Sequence, residues 1–500
     1  MSHLRAFRLV FNLFIPNLAK KSWILVQDIS EMTPSGDHAK LSNYSFMQKT
    51  YSALDTEEQM KDGTYLNEVR NQYENYPYPA RDPLTEKKHL HLSKSCSLDC
   101  LNYYGFEGKK DFSKGFRVLI AGGGTGDDVI YLAEQLRGTD AEIVYLDMSA
   151  ESMRIAQERA KIRKLDNITW VHDSLLNLNS KDFGKFDFIT CTGVLHHLES
   201  PDAGLEALTR VLDGNGAMYI MVYATIGRTG VYHMQELMRE VNSETFDIQE
   251  SVDNTKKVLN ALPAGNWFTF NKVSCKKDLS SDIGIYDLLL HSQDRAYTVN
   301  EMYEFIEKPG LKLNKLYNPD HPLGDMVFYP ETFIHDAELL SKIKKLPIRK
   351  QQSICELLFG QIMKQCCFVS FKDKKPPSTD ELNLVPSISI VYSLPNLFKN
   401  LTDAFTGAST DIQINQMFTL KRRPHTKALF GSIDGVRTMK EVVEAAMSKT
   451  KSKASFDTVY AELKVFVDVL IKVDMMYLKE KELPKWPDVD EMITRVNKFY

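Results

Sequence analysis

Between residues 116 and 223, short apolar runs alternate with longer segments whose apolar positions recur every three to four residues. The runs Arg117–Ala121, Glu142–Leu146, Ile168–Val171, Phe186–Thr192 and Ala217–Tyr223 predict strands. The segments Asp127–Arg137, Ala150–Arg163 and Pro201–Val211 predict amphipathic helices between them. Strands apolar along their whole length are buried on both faces. The pattern therefore predicts an α/β fold with a parallel sheet covered by helices on each side. Right-handed crossovers place the carboxyl ends of such strands on one edge, where α/β folds bind ligands.

After Tyr223 the rhythm stops. Residues 224–310 read as a helical insertion over that edge, with helices at Tyr232–Val241 and Tyr286–His291. Lys312–Tyr317 and Met326–Tyr329 read as the last strands of the sheet, which closes a domain over 61–330. Residues 331–400 form a connecting region with a charged, proline-bearing linker at 373–385. Residues 401–500 read as a smaller C-terminal α/β or winged-helix-like module. It has helices at Thr438–Met447 and Phe456–Ile471 and a strand at Met475–Leu478, after the Asp434–Gly435 turn. Upstream, Asn71–Pro83 carries three tyrosines and three prolines, which predicts an ordered aromatic loop after a helix ending near Tyr73. Residues 1–60 read as an extension. Leu4, Phe7, Phe11 and Phe14 recur at helical spacing among Arg5, Arg8, Lys20 and Lys21, as in a packing helix or an organelle-targeting segment.

Composition narrows the function classes. Five hundred residues imply several domains, and 43% hydrophobic with 26% charged residues is ordinary for a globular protein. A net charge of −4 supplies no global basic field, so nucleic acid is not supported as a partner. The densest short basic stretch, Lys421–Arg423, reads as a solvated loop. Seven scattered cysteines, an odd number without zinc-like paired spacing, point to a reducing compartment and to no metal site. The expected location is cytoplasmic, or mitochondrial if the basic N-terminal helix is a targeting segment. Cys366 and Cys367 would face opposite sides of a strand. No apolar run reaches the roughly 18–20 residues that span a bilayer.

The strongest chemical signal is VLIAGGGTGDD at Val118–Asp128. A strand ending at Ala121 runs into Gly122, Gly124 and Gly126, which permit a tight turn and close approach of a ligand to the backbone. The G-x-G-x-G spacing is shorter than the dinucleotide fingerprint. Asp127 and Asp128 at the helix start suit a cationic, phosphate-free ligand better than a pyrophosphate. Asp147 ends the second strand, followed by Met148, at the spacing of an acid that accepts from ribose hydroxyls. Asp173 and Ser174 follow the third strand, as a base contact or as a helix cap. Thr192 ends the fourth strand. His196 and His197 follow it, placed to act as general bases or to pack. Tyr73, Tyr76 and Tyr78 offer aromatic faces to a cationic ligand, or simply build the loop. His291, Asp294, Arg295 and Tyr297 crowd polar groups into the insertion, for substrate recognition or as a helix-terminus network.

VLIAGGGTGDD, VYLD, VHDS and FDFITCTGVLHHL, in this order and spacing, resemble class I S-adenosylmethionine-dependent methyltransferases, of the type 11/type 12 group. The flanking QYENYPYP and LLLHSQDRAYTVNEMYEFIE resemble segments of a multi-domain bacterial-type subgroup. The resemblance implies a Rossmann-like sheet of seven strands whose last strand is antiparallel. It implies S-adenosyl-L-methionine as cofactor, held by Gly122, Gly124, Gly126, Asp147 and Asp173. The implied reaction is methyl transfer to an O, N or C acceptor, small molecule or macromolecule. A catalytically inactive member that keeps the fold as a binding or assembly protein is the alternative. One departure is Ile120, where the family often carries an acid two residues before the first loop glycine. Either the contact usually attributed to that acid is missing, or Asp127 or Asp128 supplies it.

Overall fold

The computed structural model describes residues 73–498, apart from 181–182, 246, 292, 320, 322 and 415–418. The N-terminal extension, with its proposed targeting helix, lies outside the described residues.

The strands are β1 (Arg117–Ala121), β2 (Glu142–Asp147), β3 (Ile168–His172), β4 (Phe186–Thr192), β5 (Leu212–Ala224), β6 (Ala296–Tyr297), β7 (Lys312–Tyr317) and β8 (Lys364–Ser370). Seven of them run in the order β3-β2-β1-β4-β5-β8-β7, and the two-residue β6 pairs with the end of β5. β1 to β5 are parallel, while β8 lies antiparallel between β5 and β7. The seven-stranded sheet with its last strand reversed is thus present. Two expectations change. Met326–Tyr329 is not a strand; Gly324–Phe328 is a turn of 3-10 helix that covers the sheet. The missing strand, β8, comes from inside the region read as a connection. Its run Gln365–Ser370 is buried along its length.

The strand side chains divide by twos between two cores. Val118, Ile120, Ile143, Tyr145, Ala217, Tyr219, Cys366 and Phe368 enter one core. Their neighbours Leu119, Ala121, Val144, Leu146, Met218, Ile220, Cys367 and Val369 enter the other. This is the period-two alternation of a sheet covered on both faces, and it sends Cys366 and Cys367 to opposite sides. All seven cysteines are buried and reduced.

Helices α1 (Leu98–Gly105), α2 (Asp127–Gln135) and α3 (Ala150–Arg163) contribute to the first core, and α4 (Pro201–Val211) to the second. The Ser149 hydroxyl caps α3 and the Ser200 hydroxyl caps α4, each accepting a backbone N–H of the first turn. The insertion contains α5 (Thr229–Val241), α6 (Ile248–Ala261) and α7 (Asp282–Leu289). It has a small core of its own from Val231, Met234, Phe268, Cys275, Leu288 and Leu289. α8 (Val299–Glu307) then leads back to the sheet.

The C-terminal helices form at Met439–Thr450 and Phe456–Lys472, near their expected bounds. The strand after them, Met476–Lys479, pairs antiparallel with Val385–Ile388 at the end of the expected linker. Val443, Phe466, Leu470 and Tyr477 belong to the same core as β1 and β2, so no gap in packing separates 401–500 from the sheet. Two residues of the basic stretch have partners within the chain, while Lys421 and Arg423 stay exposed. Lys421 pairs with Asp411, and Arg422 donates to the carbonyls of Ala404, Phe405 and Ser409.

Candidate active site

The glycine loop leaves β1 under backbone control from β2. The Leu146 carbonyl accepts the N–H groups of Gly122 (2.8 Å) and Gly123 (3.2 Å). Asp147 Oδ2 accepts the Gly124 N–H at 2.7 Å, and Oδ1 accepts the Ser149 N–H at 2.8 Å. The Tyr145 hydroxyl donates to the Gly124 carbonyl at 2.6 Å. Burial raises the Asp147 pKa, and the N–H groups of Ser149 and Gly124 oppose that rise.

The glycines have different reasons for being glycine. Gly122 and Gly124 have φ of +74° and +50°. A Cβ at Gly122 would collide with Val194, and one at Gly124 would lie 2.8 Å from the Tyr78 carbonyl oxygen. Gly126, at φ +100°, sits where a Cβ would lie 2.8 Å from Ala156 Cβ of α3. Gly126 is therefore required by helix packing, Gly122 by the approach of Val194 and Gly124 by the approach of the strap backbone at Tyr78.

A strap from Tyr73 to His91 lies across this loop. The Pro79 carbonyl accepts the Thr125 hydroxyl at 2.7 Å. The Glu74 carboxylate accepts the Ala150 and Glu151 N–H groups at 2.7 and 3.0 Å, capping α3 from outside. Arg81 holds Asp127 through two hydrogen bonds of 2.6 and 2.9 Å, and Arg159 adds a third at 2.8 Å. Burial opposes ionisation of Asp127, but the two guanidiniums prevail and hold its pKa at about 2. This corrects the expectation that Asp127 faces a cationic ligand: its charge is matched by arginines. Asp128, the other candidate, is partly buried beside Thr190, and burial raises its pKa.

The other carboxyl ends converge on the same edge. Asp173 Oδ1 accepts the Ser174 N–H (2.8 Å) and the Asn177 side-chain amide (2.6 Å), the geometry of a turn cap. The Met148 carbonyl lies 3.0 Å from His172 Nε2. Thr192 is exposed at the end of β4, its hydroxyl 3.3 Å from that of Thr190.

The histidines form a stack under the insertion. His197 and His291 are stacked with ring centroids 3.9 Å apart, and His196 lies 4.1 Å from His197. Hydrogen bonding selects the tautomers. His197 Nδ1 lies 2.8 Å from the Gln293 carbonyl and so carries the proton, leaving the lone pair on Nε2. His291 Nδ1 accepts the Gln293 N–H at 3.1 Å, so its proton is on Nε2, 3.4 Å from the Tyr73 hydroxyl. Burial lowers the pKa of all three rings, keeping them neutral near pH 7. His196 is fully buried against Tyr223, and neither of its ring nitrogens has a hydrogen-bond partner.

Of the predicted substrate residues, Tyr73 joins His197 and His291, and Tyr76 stacks on Tyr286 at 5.3 Å. Asp294 forms a buried pair with Arg228 (3.3 Å) and accepts from Gln235 (3.1 Å). Arg295 and Tyr297 do not join them: exposed Arg295 lies over the Tyr297 ring, and Tyr297 packs on Phe305 in the sheet core. Their polar character suggested recognition, but β6 turns Tyr297 into the sheet core and leaves the Arg295 side chain in solvent.

Sequence reading missed Arg228, Asp278 and Asp287. Arg228 lies 3.5 Å from the centre of the Tyr223 ring, and Asp278 accepts the Tyr78 hydroxyl at 3.0 Å. Asp287 is buried; burial, partly offset by Arg228, pushes its pKa up to about 7. No local motif marks these residues. A cavity of about 350 Å³ lies among α5, α6 and α7, and Tyr286 and His291 form part of its wall.

Residues 119–218 match a family model described as a methyltransferase domain. An uncharacterised protein of Synechococcus is 34% identical over 230 residues, 45% of this chain and 54% of that protein. A ubiquinone biosynthesis O-methyltransferase of Glaesserella parasuis is 31% identical over 159 residues, 31% of this chain and 61% of that protein. The chain thus spans little more than half the length of these relatives. Among solved structures, the Rickettsia typhi protein PKMT2 in complex with AdoHcy shares the fold at a TM-score of 0.55 and 16% identity, over 79% of this chain and 76% of that one.

Proposed function

We propose that this chain, which carries a class I S-adenosylmethionine-dependent methyltransferase domain over residues 119–218, is an active methyltransferase that delivers the methyl group to an acceptor beneath the insertion. The observation that carries this reading is the Gly124–Asp147 cradle. A glycine loop kept bare of Cβ atoms is held at 2.7 Å to a carboxylate that closes the neighbouring strand. Those residues fit the adenosyl half of the cofactor: the Gly122–Gly124 turn would border it, Asp147 would take the ribose, and Met148, Asp173 and Ser174 would flank the base. Bound there, the cofactor supplies an electrophilic methyl on a sulfonium.

The chain's own contribution is alignment and exclusion of water. The strap closes the cleft from one side and the insertion from the other. Tyr73 and His197 border the acceptor side, and the neutral His197 imidazole is a group of the type that takes a proton from an acceptor hydroxyl or amine. His196 backs them as a packing residue. The cavity among α5, α6 and α7 offers the acceptor a way in past His291.

Calorimetric titration with S-adenosylhomocysteine and, separately, with NADH tests the reading. Saturable binding of the first alone, with transfer of radiolabelled methyl to a component of a cell extract, supports it. Binding of NADH, or of neither, overturns it.

A further inference from the structure

We propose that residues 267–273, on the insertion, form a docking patch for an anionic lipid surface. Three large apolar side chains stand in solvent within seven residues: Trp267 at 52%, Phe270 at 84% and Val273 at 72% exposure. The backbone beneath them is firmly seated. Phe268, Asn271 and Cys275 are buried on the opposite side of the same turn. The Asn271 amide donates to the Gly227 carbonyl at 2.7 Å. A Cβ at Gly230 would lie 2.7 Å from the Trp267 carbonyl oxygen and 2.8 Å from Phe268 Cα. The segment is thus apolar on both faces, with only one face covered by its own chain. Exposed apolar groups concentrated in this way mark interaction surfaces.

Charge identifies the occupant. From residue 254 to 277 the sequence holds five lysines (256, 257, 272, 276 and 277) and no acid, in a chain of net charge −4. Lys256 is neutralised by Asp253 and Asp282, and Lys272 donates to the Leu259 carbonyl. Lys276 and Lys277 are exposed beside the apolar face. Tryptophan and phenylalanine flanked by lysines match the layered chemistry of a bilayer interface, where aromatic rings enter among the headgroups and ammonium groups meet lipid phosphates. No described helix is long and apolar enough to cross a membrane, so the contact is peripheral.

Flotation of the full chain with phosphatidylcholine vesicles, with or without about 30% phosphatidylserine, tests the proposal. The expected result is salt-sensitive binding to the anionic vesicles. It should weaken about tenfold or more in Trp267→Ala/Phe270→Ser/Val273→Ser and in Lys276→Glu/Lys277→Glu. Unchanged melting temperatures would attribute the loss to the surface. A wild-type chain that ignores both vesicle types, or a triple variant that binds as well as the wild type, overturns it. So does a wild-type dimer that the triple variant dissociates, since a second copy would then cover the patch.

Discussion

The Asp147 carboxylate grips the Gly124 N–H at 2.7 Å, and the Tyr145 hydroxyl holds the Gly124 carbonyl at 2.6 Å, so two residues of β2 fix the peptide groups on either side of the Gly124 Cα. Asp147→Ala removes the first hold and the proposed ribose contact together. S-adenosylhomocysteine affinity is expected to fall about tenfold or more, roughly 1.4 kcal/mol, by titration calorimetry. An unchanged affinity in a folded variant would remove Asp147 from the site.

Gly126 separates stability from binding. Gly126→Ala places a Cβ against Ala156 at a left-handed φ, forcing α2 and α3 apart. The expected cost is about 1–3 kcal/mol of stability in denaturant titrations, with a smaller loss of cofactor affinity in the folded protein than Asp147→Ala causes.

Glu86 is buried between Arg159 and Arg163 and accepts from both. Glu86→Ala leaves Arg159 with Asp127 alone and Arg163 with Glu134 alone, and strips buried donors of their acceptor, which is expected to cost about 1–3 kcal/mol. Glu151→Ala, which breaks an exposed pair with Arg154, should cost less than about 1 kcal/mol. Equal losses in the two variants would refute the buried-charge argument.

Asp287 imposes a pH dependence. Its folded pKa is raised to about 7 from 3.8, chiefly by burial, with Arg228 opposing and Asp278 and Asp294 reinforcing. A carboxyl raised on folding is most stabilising below its unfolded pKa, and that stability is lost as pH rises through the folded value. Asp287→Asn removes the titration. The variant should melt several degrees above the wild type near pH 8, with the gap narrowing as pH falls and closing below about pH 3.8, given a linkage of up to about 4 kcal/mol. A gap of the same size at both ends of this range would show that Asp287 does not titrate in it.

Much of this protein was decided locally. Alternating apolar runs determined β1 to β5, because a strand buried on both faces must be apolar throughout. The glycine spacing and the acid ending β2 determined where a ligand edge would form, because backbone freedom and a strand-end carboxylate are properties of a few adjacent residues. Only the tertiary structure decided that Asp127 belongs to Arg81 and Arg159, that Tyr297 is a core residue, and that Lys364–Ser370 inserts between β5 and β7. It also brought His197, His291 and Tyr73 together. These outcomes depend on partners tens to hundreds of residues apart in the chain, and neither charge nor hydrophobic periodicity encodes which distant group a side chain will meet.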